Sequence, residues 1–315
     1  MSVYTEVKRP ELLKFLSDYA LGDLISFEGI SDGIENTNYF VTTEQGQFVL
    51  TLFEQHGFEM MDYFLDVMTF FFQNGIPSAH PEADKQGRYL KRLSGKPAAL
   101  VGRLQGSGIS NIASIEQCRA IGKVLGKMHV AGQRFPTRRL TERGADWRQN
   151  TAENVLSQLE VPLANLMKTE LEFQSSYAEL NLPSGLTHSD LFRDNALFDG
   201  DELKGIIDFY YACDEYLLYD LAVTVNDWCI DQSGLIETSR YEAMMLAYTQ
   251  QRKLTAAETT HWNLVLRAAA LRFWLSRLQD KFFPREGELT QIKNPDAFLK
   301  ILQQHQAQTL IVNAA

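Results

Sequence analysis

The sequence predicts an α+β chain in two lobes, a small antiparallel β-sheet first and a larger, mainly helical part after it. Three observations carry this. Short runs of alternating apolar residues fall mostly before residue 102, and longer runs with apolar residues every three or four positions fall mostly after it. Between them, Gly102-Arg103-Leu104-Gln105-Gly106-Ser107-Gly108 reads as a hinge, since glycine breaks regular structure. The expected lobes are residues 1–102 and 103–315, with the hinge at about 102–108.

Leu12, Leu13, Leu16 and Tyr19 recur at helical spacing, so 10–21 reads as a helix. Residues 24–29, 38–43 and 48–53 read as the strands of a meander, because turn formers at 31–37 and 44–47 separate them. Alternation puts Val49 and Thr51 on one face of the third strand, and Phe48, Leu50 and Leu52 on the other. Met60, Tyr63, Phe64, Val67, Met68 and Phe71 mark a helix over 59–74, stopped by Gly75 and Pro77. Further strands are expected at 88–93 and 97–101. Past the hinge, Ser114 and Gln117 have capping-box spacing, and Ile115, Cys118, Ile121, Leu125 and Met128 share one face to about 131. His129 on that helix is expected to be buried and hydrogen-bonded rather than catalytic. Later helices are expected at 146–160, 163–180, 214–231, 255–278 and 294–304, the fourth opened by a second capping box, Thr255 to Glu258.

Net charge is −10, which disfavours nucleic acid and anionic membranes as partners, since both want a basic face. A small-molecule substrate remains open, because local amides and cations outweigh a global field. The three cysteines, Cys118, Cys213 and Cys229, form no C-x-x-C pair, so reduced thiols are expected rather than a disulfide framework or zinc site. The first residues lack a leader's basic and apolar segments, and no uncharged apolar run reaches the ~18 residues of a membrane span. A cytoplasmic protein is the expectation.

The chemistry concentrates in His188-Ser189-Asp190-Leu191-Phe192-Arg193-Asp194-Asn195 and, after a hairpin turning at Asp199-Gly200-Asp201, in Ile206-Ile207-Asp208-Phe209-Tyr210. Phosphoryl transfer needs a carboxylate to take the acceptor's proton and hard oxygens to hold Mg2+ on the phosphates. Asp190 is the candidate base, and Asn195 and Asp208 are the candidate metal ligands. The frame H-x-D-x-x-x-x-N keeps the Asp-to-Asn spacing of the protein-kinase catalytic loop. Asp199 and Asp201 read as plain turn residues.

These stretches, with E-N-T-N-Y-F-V-T-T (35–43), F-V-L-T-L-F-E (48–54), G-K-P-A-A-L-V-G-R-L-Q-G (95–106), R-G-A-D-W (143–147) and L-L-Y-D-L-A-V-T-V-N-D-W-C (217–229), resemble the aminoglycoside phosphotransferase and choline kinase superfamily. Within it the chain is most similar to the type II homoserine kinases. The resemblance implies a two-lobe, protein-kinase-like fold, ATP with Mg2+, and homoserine as acceptor. It makes Asn36 and Asn38 candidates for nucleotide contact, with Val49 and Thr51 on the third strand and Arg103 and Leu104 offering hinge backbone to adenine. Asn36 and Asn38 could equally be turn residues. Thr51 stands where protein kinases place a phosphate-binding lysine, so the counter-charge must come from elsewhere. Arg193 is the first candidate, with a structural ion pair as its alternative. Asp220 resembles a position that supports the catalytic loop. Kinases of choline, ethanolamine, aminoglycosides or methylthioribose remain alternatives, as does a nucleotide-binding pseudokinase.

Overall fold

The computed structural model describes residues 5–30, 36–55, 57–284 and 293–308. The turn expected at 31–37 lies mostly outside them. The chain divides into two compact units. The first runs to Gly106 and takes back Lys204–Tyr210, and the second holds Ser107–Leu203 and most of the chain after Tyr210.

In the first unit, α1 (Arg9–Leu16) precedes β1 (Leu24–Gly29), β2 (Thr37–Thr43) and β3 (Gly46–Leu52). Then come α2 (Phe58–Gln73), β4 (Leu90–Leu93) and β5 (Lys96–Gly102). The strands form one antiparallel sheet, ordered β1-β2-β3-β5-β4. Alternation along β3 works as expected: Phe48, Leu50 and Leu52 enter a core with Leu12, Phe15, Tyr39 and Val41. α1 is shorter than the expected 10–21: it is capped at Ser17, whose backbone N–H donates to the Leu13 carbonyl and whose hydroxyl donates to that of Lys14. Gly75 ends α2 in the left-handed region, φ 74°, where glycine is favoured. The returning segment packs on this unit through aromatics: Tyr210 lies edge-on to Phe53 and Phe64 at 5.5 and 5.8 Å, and Phe209 sits 5.6 Å from Phe71.

The second unit is mainly helical: α3 (Ile115–Gly132), α4 (Ala145–Leu156) and α5 (Val161–Phe173) come first. Short strands follow in chain order, β6 (Ser184–Thr187), β7 (Ala196–Asp199), β8 (Glu202–Ile206, of which Lys204 onward belongs to the first unit) and β9 (Cys213–Tyr216). The last helices are α6 (Leu217–Trp228), α7 (Thr238–Thr249), α8 (Ala256–Phe282) and α9 (Asp296–Ala307). Both capping boxes form. β7 and β8 make the expected hairpin, turning at Gly200 with φ 58°.

Three expectations need correction. Residues 214–216 are strand, not helix, because they continue the pairing with β6 that runs from Ser184↔Tyr216 to Thr187↔Cys213, and α6 starts only at Leu217. The helix expected to reach 180 ends at Phe173 and gives way to a short turn at Tyr177–Glu179. α7 was not expected at all. Its N-cap is Glu237, an uncommon choice, whose carboxylate accepts from Ser239 and Arg240 N–H. α7 approaches α3 over glycines: a Cβ at Gly122 would stand 2.2 Å from the Met244 carbonyl oxygen, and one at Gly126 would stand 3.0 Å from that of Tyr248. Among the described residues, no helix is long and apolar enough to cross a membrane.

Candidate active site

The loop that carries Asp190 leaves β6 and is held from beneath by one carboxylate. Asp220, on α6, is fully buried. It accepts the backbone N–H of Ser189 at 2.7 Å and of His188 at 2.8 Å, and the His129 Nε2–H at 3.0 Å. On the far side of the ring, His129 Nδ1 accepts the Tyr248 hydroxyl at 2.7 Å. That hydroxyl in turn accepts from Arg252, which also pairs with Glu258 at 2.7 Å. Burial holds His129 below its ordinary pKa against the pull of Asp220, so the ring is neutral. Burial alone would raise the Asp220 carboxyl, but the hydrogen bonds from His129 and the His188 backbone keep it below the usual range. The expectation of a buried, hydrogen-bonded His129 is met.

Those bonds fix an unusual backbone. Among the described residues, Ser94, Ser189 and Asp208 are the non-glycine residues with positive φ, and the last two both show 63°. Such conformations cost about 1–3 kcal/mol and persist only where the surroundings impose them. At Ser189 the surroundings are Asp220 below and a Thr187 hydroxyl 2.8 Å from the Ser189 hydroxyl. Asp190 follows directly, and its side chain is 17% exposed.

A 3-10 turn, Arg193–Asn195, brings Asn195 back to Asp190. Asn195 Nδ2 donates to the Asp190 backbone carbonyl at 2.8 Å and lies 3.3 Å from its Oδ2. This orientation fixes the amide and leaves Oδ1 as an acceptor with no donor among the described residues. A free amide oxygen beside a carboxylate suits Mg2+, which favours few protein oxygens and keeps waters or phosphates for the rest. No group of three or more His, Cys, Asp or Glu side chains suited to a metal occurs among the described residues.

Arg193 is tied within its own unit. Its backbone N–H and Nε donate to Asp227 Oδ2 at 2.8 and 3.1 Å, Nη2 reaches Oδ1 at 3.3 Å, and Nη1 donates to the Asn111 carbonyl at 2.8 Å. This is the structural ion pair weighed as the alternative to a phosphate counter-charge. A different cation stands nearer the candidate base. Arg272, on α8, is 5% exposed, and its Nη1 lies 3.9 Å from Asp190 Oδ1. Nothing in the sequence signals this, because Arg272 sits inside a long helix far along the chain.

Asp208 belongs to the segment grouped with the first unit and is half-buried. In that unit Thr51 and Asn38 face each other across β3 and β2, and the Thr51 hydroxyl donates to Asn38 Oδ1 at 2.7 Å. Asn36 Oδ1 accepts the Glu54 N–H at 3.4 Å. Val49 is half-buried, opposite Val101. The Arg103 N–H donates to the Gln47 carbonyl at 2.9 Å while its guanidinium lies 3.9 Å from the Phe40 ring centroid. Leu104 fills the space that Gly205 leaves by lacking a Cβ, which would stand 2.2 Å from Leu104 Cδ1.

This constellation has relatives. Residues 26–263 match the phosphotransferase enzyme family. The homoserine kinase of Methylobacillus flagellatus is 46% identical over 303 residues, spanning 96% of this chain and 95% of that protein. That of Janthinobacterium sp. is 42% identical over 309 residues, spanning 96% and 95%. Among solved structures, the amicoumacin kinase hAmiN, in complex with AMP-PNP and Ca2+, superposes with a TM-score of 0.71 at 14% identity, covering 95% of this chain and 92% of its own, a likeness of fold alone. The chain therefore belongs to the phosphotransferase enzyme family, in the group that carries the homoserine kinases.

Proposed function

We propose that this protein transfers the γ-phosphoryl group of ATP to the hydroxyl of L-homoserine, giving O-phosphohomoserine, a step of threonine biosynthesis in the cytoplasm. The observation that carries the reading is near-full-length identity of 40–46% to several homoserine kinases. The AMP-PNP bound to hAmiN supports ATP as donor.

Asp190 accepts the hydroxyl proton while the acceptor oxygen forms its bond to Pγ and the bond from Pγ to the bridging oxygen breaks, releasing ADP. Asn195 and Asp208 would hold Mg2+, which would neutralise phosphate charge when bound. Asn195 also restrains the Asp190 backbone. Arg193 serves by fixing the start of the turn through Asp227. Asn36, Asn38, Val49, Thr51 and the backbone of Arg103 and Leu104 form the nucleotide side of the reading.

The test is ATP consumption with Mg2+ across homoserine, choline, ethanolamine, an aminoglycoside and methylthioribose. Preference for homoserine is expected. Preference for another alcohol would move the protein to a different acceptor, and nucleotide binding without turnover on any of them would make it a pseudokinase.

A further inference from the structure

Arg272 is buried, yet its guanidinium makes no hydrogen bond among the described residues. Two aromatic rings stand beside it: the guanidinium carbon lies 3.8 Å from the Phe273 centroid and 5.4 Å from that of Tyr211. The Asp190 contact, at 3.9 Å, is an ion pair too long to be a hydrogen bond. A guanidinium carries five donors in a fixed fork, and none of these is hydrogen-bonded by a described residue. An arginine held this way is prepared for an anion that arrives with the substrate.

We infer that Arg272 binds the carboxylate of the acceptor, an inference that rests on the homoserine reading. The acceptor hydroxyl must hydrogen-bond Asp190 to give up its proton. In homoserine the carboxylate oxygens lie roughly 5 Å from that hydroxyl along standard bonds. With hydrogen bonds of about 2.8 Å at each end, one molecule spans Asp190 and the neighbouring fork. The planar fork suits a carboxylate, which it grips by two parallel bonds. Arg272 thereby selects amino-acid alcohols over plain amino alcohols.

The experiment compares homoserine with 3-amino-1-propanol, the same alcohol without its carboxylate, on the wild-type chain, Arg272→Met and Arg272→Lys. In Arg272→Met, KM for homoserine should rise about 100-fold, as losing charge-assisted bonds implies. KM for 3-amino-1-propanol and KM for ATP should stay within about threefold, which also shows that the variant folds. Arg272→Lys should recover only part of the loss, because an ammonium cannot make both bonds. Equal losses on both acceptors, or a raised KM for ATP, would overturn the assignment and place Arg272 on the phosphates. If wild-type protein turns over homoserine and Arg272→Met discriminates as well as wild type, this inference alone fails. If wild-type protein ignores homoserine, the parent reading fails first and takes this one with it.

Discussion

Replacing Asp220 with alanine removes the acceptor from three buried donors at once: the N–H groups of Ser189 and His188 and the His129 ring, at 2.7, 2.8 and 3.0 Å. A buried donor left unmet costs about 1–3 kcal/mol, and some of that is recovered as the loop relaxes. The expected loss is therefore roughly 3–6 kcal/mol, a large share of the ~5–15 kcal/mol that holds a domain together. Asp220→Asn keeps the shape and one oxygen, so its cost should be about half. Urea unfolding followed by circular dichroism reads both: the midpoint should fall from wild type to Asn to Ala while the slope stays constant. Turnover should fall in the same order, since Ser189 then loses the bond that holds its φ at 63°. A loss below about 1 kcal/mol for Asp220→Ala would refute the idea that this carboxylate carries the loop.

Two other perturbations probe the frame around that loop. Burial, reinforced by Arg267, pushes His305 down to about 4, and its Nε2 lies 2.8 Å from Asn226 Oδ1. The unfolded chain then takes up a proton near pH 6.5 that the folded chain refuses. Stability from this residue is complete above pH 6.5 and lost as pH falls toward 4, in total about 3 kcal/mol. Thermal unfolding of His305→Gln across that range should show a flatter pH slope than wild type, and an unchanged slope would contradict the assignment. Gly122→Ala should destabilise by about 3 kcal/mol or more, because its new methyl meets the Met244 backbone and no side chain can yield. A Tm within about a degree of wild type would mean that α3 and α7 can separate freely.

How much of this was legible in the sequence depends on how local each cause is. The meander and α2 were legible because a face buried in one core imposes a period on neighbouring residues, as Phe48, Leu50 and Leu52 show. Asp190 and Asn195 were legible because a single tight turn joins them, so spacing alone encodes their meeting. β9 was not legible, since Asp214, Glu215 and Tyr216 become strand only by pairing with β6, and nothing nearby records that. α7 hid behind its Glu237 cap, although Met244, Met245 and Tyr248 have helical spacing and could have revealed it. Asp220 carried a recognisable sequence context, but its three donors come from separate segments. Arg272 and Arg193 show the same limit from opposite sides. The arginine favoured for its place in the loop is paired with Asp227, while a cation beside the candidate base comes from a distant helix.

The most direct test of the whole account is steady-state turnover of Mg-ATP and homoserine by wild-type protein and Asp190→Asn, with nucleotide affinity measured in parallel. The account predicts robust phosphorylation by the wild-type chain, and a fall of at least about a thousandfold in kcat for the variant at nearly unchanged nucleotide affinity, as loss of a general base and its positioning implies. Near-normal turnover by Asp190→Asn would contradict it.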